Sequence, residues 1–468
     1  ADALVATLLA AHAPGTPTAD GCAAAPATPR VSGRAVEMAA LHGVLSRADG
    51  RPVPRDNGIG AVRAVSTPAL DGRAGRPLPR GGALSLETSH ALGVGGWLAA
   101  VAQPRLSLIA DADGRTRAQL APQRLGARVV ARNVALHVGM EERRWGMGGA
   151  RSLFLSGNAE PLRAVSVAAD TAFALPWVLR HLGRWRFELL AADLGRGREF
   201  PHSKLVAYKL DVAPAPWLEV GAGLMSQQGG RGAPALSGSE RVRDLAPFLF
   251  WIVDEGSDPL ATNKVANAQV RVRVPRWRSA SLAWEAAIDD FDLRRVRRML
   301  WEDTGHLFAL SVPRLRDDGS LALDAQWHHT SLRLGQHYQF TDGLTYHGRL
   351  VGSPLGPAAS AGAAALTWRP DVRTTWRGTL THEVRDSSQW RSRVTSVDED
   401  GFDFVRVGGP GVKEGRTRAA LEGRRDAPGA GRGWWARAGV ERVTNGGFSR
   451  ARPAATRPYV EAGAVVRF

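Results

Sequence analysis

The sequence predicts an all-β protein, a transmembrane antiparallel β-barrel of about 18 strands with 16 also possible, behind a small helical or irregular N-terminal region. Three observations carry the prediction. From about Gly82 to Phe468, short stretches alternate apolar and polar residues with the period of a strand; short turns alternate with long loops between them; and tryptophans gather near the expected strand ends.

Residues 1–80 read differently from the rest, as a periplasmic N-terminal region ahead of a barrel over 81–468. Leu4–Ala13 is apolar, the remnant of a signal segment or a first helix, and Ala23–Pro29 is rich in Ala and Pro. Val31–Ser46 offers a helical stripe of Val36, Ala39, Ala40, Leu41 and Val44. Arg51-Pro-Val-Pro54, Thr67-Pro68 and Arg76-Pro-Leu-Pro79 then interrupt regular structure, because proline lacks a backbone donor and fixes φ.

The barrel segment reads as sequential hairpins. Val270-Arg-Val-Arg-Val274 puts valine on one face and arginine on the other. Turn residues at Asp211–Trp217, Pro275–Arg278, Asp317–Gly319, Arg369–Arg373 and Asp426–Arg432 join neighbouring strands, whereas Gln227–Ala246, Gly343–Pro357 and Val397–Gly415 are long. At roughly 10 residues per membrane strand the segment holds 16 to 18 strands, with short periplasmic turns and longer extracellular loops. A soluble sandwich has no use for so many.

The aromatic residues point the same way. The chain has 15 Trp against 4 Tyr, and Trp97, Trp177, Trp217, Trp277, Trp368, Trp376 and Trp390 fall near expected strand ends, where indole rings sit at the headgroup depth of outer-membrane lipid and lipopolysaccharide. The chain closes on Glu461-Ala-Gly-Ala-Val-Val-Arg-Phe468. Gly463, Val466 and the terminal Phe468 resemble the signal by which the barrel assembly machinery recognises its clients.

Composition excludes several classes. At 44% apolar and 23% charged residues the chain is no disordered polymer, and it lacks the ~20-residue apolar run of a membrane helix. A net charge of +16 invites an anionic partner, but only 4 of the 61 basic residues are Lys and the charges are spread along the chain, so nucleic acid is not expected. The single Cys22 excludes an internal disulfide framework, and Asp20 argues against its lipidation.

No catalytic constellation stands out. A Gly-x-Ser-x-Gly elbow is missing, and Asp289, Asp290 and Asp292 ahead of Arg294, Arg295, Arg297 and Arg298 read as solvated ion pairs. His328, His329, His337 and His347 lie close in sequence, yet alternation sends His328 and His329 to opposite faces. Gln228–Gly232 and Gly408–Gly415 read as loops, without the context of a phosphate loop. Catalytic residues, metal and cofactor are therefore all expected to be none.

Ordered motifs in the barrel segment resemble the capsule assembly protein Wzi family. They are Arg144-Trp145-Gly146, Ser152–Pro161 with Ser156 and Asn158, Leu182–Phe187, Phe200-Pro-His202-Ser-Lys204-Leu205, Leu218–Gly221, Gln227–Gly232 and Tyr346-His-Gly348 through Gly356. The resemblance implies an 18-stranded barrel of the bacterial outer membrane with helices near its periplasmic mouth. It also implies a lectin, not an enzyme, that binds capsular or other surface polysaccharide and helps attach it to the cell.

The motif residues themselves read mainly as structural. Asn158 suits a turn with unusual backbone angles, and Trp145 suits a strand end. Arg231, Arg241 and Arg243, in the long loop after Gln227, are the glycan-binding candidates, since guanidinium groups pair with carboxylates. A pore or substrate-specific channel is the alternative on the same architecture. A filled lumen favours the lectin and an open one the pore.

Overall fold

A computed structural model describes residues 31–48, 51–52, 56–66, 73–76, 80–148, 151–245, 262–289, 299–396, 401–427 and 431–468. These form a closed antiparallel barrel of 18 strands. In chain order they are β1 Val31–Ser46, β2 Gly81–Val94, β3 Leu98–Asp111, β4 Thr116–Ala131, β5 Val134–Glu141, β6 Leu162–Ala169, β7 Arg184–Asp193, β8 Lys204–Ala215 and β9 Leu218–Gln228. The second half holds β10 Asn263–Val274, β11 Ala280–Asp289, β12 Thr304–Val312, β13 Leu321–Thr330, β14 Ala359–Trp368, β15 Thr374–Asp386, β16 Lys413–Asp426, β17 Arg432–Thr444 and β18 Ala455–Arg467. Phe173–Ala174 continues the line of β6 beside β7.

The barrel begins earlier than the sequence suggests. Val31–Ser46, expected as a helix in a separate N-terminal region, is the strand that closes the barrel: it pairs with β18 from Met38↔Arg467 to Ser46↔Tyr459 and with β2 from Val31↔Val94 to Ser46↔Gly81. Its apolar positions fit both periods. Two ladders of backbone hydrogen bonds decide for the strand, with Leu41 and Leu45 facing out and His42 and Val44 facing in. Residues 51–52, 56–66 and 73–76, expected on the periplasmic side, follow the end of β1 paired with Gly81 and so sit at the opposite mouth. Leu4–Ala13, Cys22 and Ala23–Pro29 lie outside the described residues.

Connections are mostly short at one end and long at the other, which orients the short end to the periplasm. The short turns include Gly95–Trp97, Arg132–Asn133, Pro216–Trp217 and Arg369–Arg373. Exceptions occur at each end: β3 and β4 are joined tightly on the loop side, while Asp170–Gly183 is long and carries a 3-10 turn, Trp177–Leu182, on the turn side. Exposed Trp97, Trp177, Trp217, Trp277, Trp368, Trp376 and Trp434, with Phe468, gather at the turn end. Trp390 does not join them. It lies in an extracellular hairpin, Gln389–Ser396 with Gly401–Val407, where Arg406 covers its ring at 5.1 Å.

Two loops turn inward and give the lumen a core. Trp145, Leu153, Phe154 and Leu155 of loop 142–161 and Leu334, Leu344, Tyr346 and Val351 of loop 331–358 pack against inward-facing Leu190, Leu205, Met225 and Leu307 of the wall. Burying such side chains stabilises by about 1.5–3 kcal/mol each. The opposite inner wall is charged: Arg418 donates to Glu383, and Arg416 bonds Glu414 at 3.0 Å and Glu441 at 3.1 Å, all of them buried. On the outer wall, Met299 covers Leu224, Ala266 and Ile288.

Candidate functional site

The loop face is built from three segments locked to one another. Residues 56–64 bridge to loop 331–358 through paired backbone bonds, Ala61 N to His337 O at 3.2 Å and His337 N to Ala61 O at 3.1 Å. Asn57 adds its side-chain amide to Leu332 O at 2.8 Å. The third segment is Leu194–Ser203 between β7 and β8. Its Arg198 donates to Thr345 O at 2.7 Å and Gly343 O at 3.0 Å, and burial lowers this guanidinium to about 10. Asp342 accepts from the Glu199 amide and faces Arg63 at 3.9 Å.

This scaffold holds an aromatic platform. His337 Nδ1 accepts the amides of Gln339 at 3.1 Å and Phe340 at 3.2 Å, which fixes its ring. Tyr338 stacks on that ring at 4.6 Å and 26° and stays 68% exposed. Phe340 sits beneath, edge-on to Phe200 at 5.1 Å. Arg63, with 61% of its side chain exposed, and Glu199 flank the platform 3.9 Å from one another. An exposed ring on a rigid base, ringed by a cation and hydrogen-bonding groups, can stack a sugar face and pair a sugar carboxylate.

The predicted glycan residues separate. Arg231 is exposed, and its amide bonds Pro201 O at 2.9 Å, which puts it beside Phe200 and within the platform's loop cluster. Arg241 lies on the helix Gly238–Leu245, which Asp244 pins to Ser226 and to Lys264 at 2.7 Å on the outer rim of β9 and β10. It is therefore set apart from the platform. The Arg243 side chain lies outside the described residues. Tyr338, His337 and Arg63 were not among the candidates, although Gly335-Gln-His-Tyr-Gln-Phe340 is an aromatic run in a loop that alternation could not absorb.

Several motif residues hold the loops in place. Trp145, expected at a strand end, is instead buried inside the barrel, where its indole donates to Glu188 at 2.9 Å and stacks on Phe154. Gly146 has φ +143, and a Cβ there would lie 2.0 Å from Ser152 Oγ. Asn158 has no positive φ; its buried amide donates to Leu350 O at 2.9 Å, and Ser156 Oγ donates to Gly352 O at 2.6 Å. These bonds sew one inward loop to the other.

The remaining motif residues serve local ends. Arg144 pairs with Glu142 at 2.6 Å, Pro161 is buried ahead of β6, and His347-Gly348 forms the two-residue turn of a hairpin with φ +47 and +74. His202 and Lys204 both bind Asp193, at 3.1 and 2.5 Å. Gly463 leaves room for the Trp435 indole, 2.6 Å from where a Cβ would stand, Val466 pairs with Ala39, and the Phe468 amide bonds Glu37 O. His328 points into the lumen and His329 out of it, as alternation requires. Asp290, Asp292 and the arginines after them lie outside the described residues.

A closed 18-stranded barrel with two of its own loops packed against the inner wall, and an exposed aromatic platform on the loop face, defines a protein of the outer-membrane barrel class. The chain belongs to the Capsule assembly protein Wzi family, whose model matches residues 57–443. It is similar in fold to the solved structure of Wzi from Escherichia coli, described as an outer-membrane protein involved in group 1 capsule assembly and a carbohydrate-binding β-barrel. The two are 16% identical over 92% of this chain and 84% of that one, with a TM-score of 0.63. An uncharacterized 55.8 kDa protein in the cps region of Klebsiella pneumoniae is 29% identical over 139 residues, 30% of this chain and 26% of that relative. The protein is one of the bacterial outer membrane.

Proposed function

We propose that this barrel binds an acidic surface polysaccharide of capsular type on its loop face and helps hold it at the cell surface without chemical change. Tyr338 is the stacking platform; Arg63 and Arg231 pair the uronate or other acidic groups. Family membership supports the reading, and one observation carries it: an aromatic ring left 68% exposed on a histidine that its own turn holds in place. The inward loops favour this lectin over a diffusion pore, because their apolar core occupies the lumen.

Two further partners follow from the turn end of the barrel. The ring of tryptophans at the turn end suits contact with outer-membrane lipid. Gly463, Val466 and Phe468 present the C-terminal strand to the barrel assembly machinery.

Calorimetric titration of the source bacterium's purified surface polysaccharide into the folded protein tests the glycan reading. Tyr338→Ala is expected to weaken binding about tenfold, which corresponds to about 1.4 kcal/mol. Removing Arg63 and Arg231 together is expected to weaken it further and flatten its salt dependence. Equal affinity of the wild type and Tyr338→Ala would overturn the proposal.

A further inference from the structure

The Phe200–Leu205 motif ends at a second feature, on the outer wall and away from the glycan face. Across β2 to β8 the wall is indented into an open groove of about 970 Å³. Its cause is backbone. Pro104 and Pro122 face one another across β3 and β4 at a register shift, and neither can donate to the ladder. Gly139, at φ +144, brings β5 so near β4 that a Cβ would stand 2.1 Å from Leu125 O. Outward-facing Leu125, Val138, Val165 and Ala191 line the dent.

Its upper end is charged. Arg163 is the second residue of β6, Asp193 ends β7 and Lys204 begins β8, so all three stand at the loop end, in the outer leaflet. Arg163 is exposed, and Lys204, half exposed, is held at 2.5 Å by Asp193. Exposed Arg196 lies on the loop just above. Arg163 and the Lys204–Asp193 pair thus line the mouth of an apolar groove, with His202 also on Asp193 at 3.1 Å.

Apolar lining alone selects nothing in a bilayer, because acyl chains are as apolar there as leucine. The charged rim selects the headgroup. We propose that the groove is a binding site for a phosphorylated glycolipid of the outer leaflet, bisphosphorylated lipid A, with its acyl chains along the dent and a phosphate on Arg163 and Lys204. The volume lies within the roughly 300–1,000 Å³ of ordinary ligand sites.

Native mass spectrometry of the full-length protein in detergent tests this, with bisphosphorylated lipid A, its dephosphorylated form and phosphatidylglycerol as probes. The wild type is expected to retain bisphosphorylated lipid A at least tenfold better than either other lipid. Arg163→Gln with Lys204→Gln should abolish that preference, and Ala191→Phe, which fills the dent and leaves the rim intact, should reduce retention several-fold. Equal retention of all three lipids by the wild type, or unchanged preference in both variants, would overturn the proposal. Each variant's fold is checked by its heat-modified mobility, and polysaccharide binding at the loop face should be unaffected.

Discussion

Ser152 donates a 2.6 Å hydrogen bond to Glu285, joining the inward loop 142–161 to the lumenal face of β11. The same carboxylate accepts the amides of Leu153 at 2.8 Å, Phe154 at 3.0 Å, Met147 at 3.0 Å and Gly148 at 3.2 Å. One buried acid thus accepts from five donors held away from water, although Ser152 Oγ also reaches Trp145 O at 2.7 Å and the Phe154 amide also reaches Ser152 Oγ at 3.3 Å.

Glu285→Ala should therefore release the loop. Leaving buried donors unmatched costs about 1–3 kcal/mol each, enough in sum to undo local order while the barrel ladders persist. Limited proteolysis of the folded variant should cut within 142–161, where the wild type resists. Equal resistance would show that packing of Trp145 and Phe154 holds the loop unaided.

The two inward loops are also tied by His347 Nδ1 and Glu160, 2.7 Å apart. This hydrogen bond, against the cost of burial, holds the Glu160 carboxyl below its ordinary value. A depressed carboxylate contributes stability that is present above the unfolded value, about 4.3, and is lost as pH falls through the folded one. Protease cleavage near the 345–350 hairpin should thus rise on acidification below about pH 4, and Glu160→Gln should remove the pH dependence.

The charged inner wall predicts an asymmetric response. Glu441→Ala leaves Arg416 with only Glu414 and should destabilise by about 3 kcal/mol, because an uncompensated buried charge costs more than the pair was worth. Replacing Glu441 and Arg416 together by Leu and Met should cost less than the single change. Urea unfolding followed by tryptophan fluorescence measures both.

Gly439 and Tyr459 face one another across β17 and β18, and a Cβ on the glycine would stand 2.4 Å from the tyrosine ring. Gly439→Val should lower the temperature at which the barrel unfolds, and Tyr459→Ala added to it should recover part of the loss. No recovery would place the strain elsewhere in the strand.

Most of the barrel was legible because its constraint is local. A strand between lipid and lumen must alternate, and turns such as Arg369–Arg373 carry their own chemistry. Val31–Ser46 was not, because Ala39, Ala40 and Leu41 satisfy helical and strand periods alike and only pairing with β2 and β18 decides. Trp145 misled for a related reason. Strand-end tryptophans and a tryptophan on a loop that re-enters the lumen look the same until Glu188 and Glu285 are placed opposite. At the loop face, Arg231 was chosen by residue type and lies beside Phe200, whereas Tyr338 depends on a stack with His337 that no spacing announces.

Single-channel conductance of the refolded protein in planar bilayers, before and after adding the source bacterium's surface polysaccharide, tests the central claim most directly. An occluded barrel that binds glycan on its loop face predicts silence in both conditions together with saturable polysaccharide binding to the same preparation. Steady open conductance without polysaccharide binding would contradict it and make the protein a pore built on this fold.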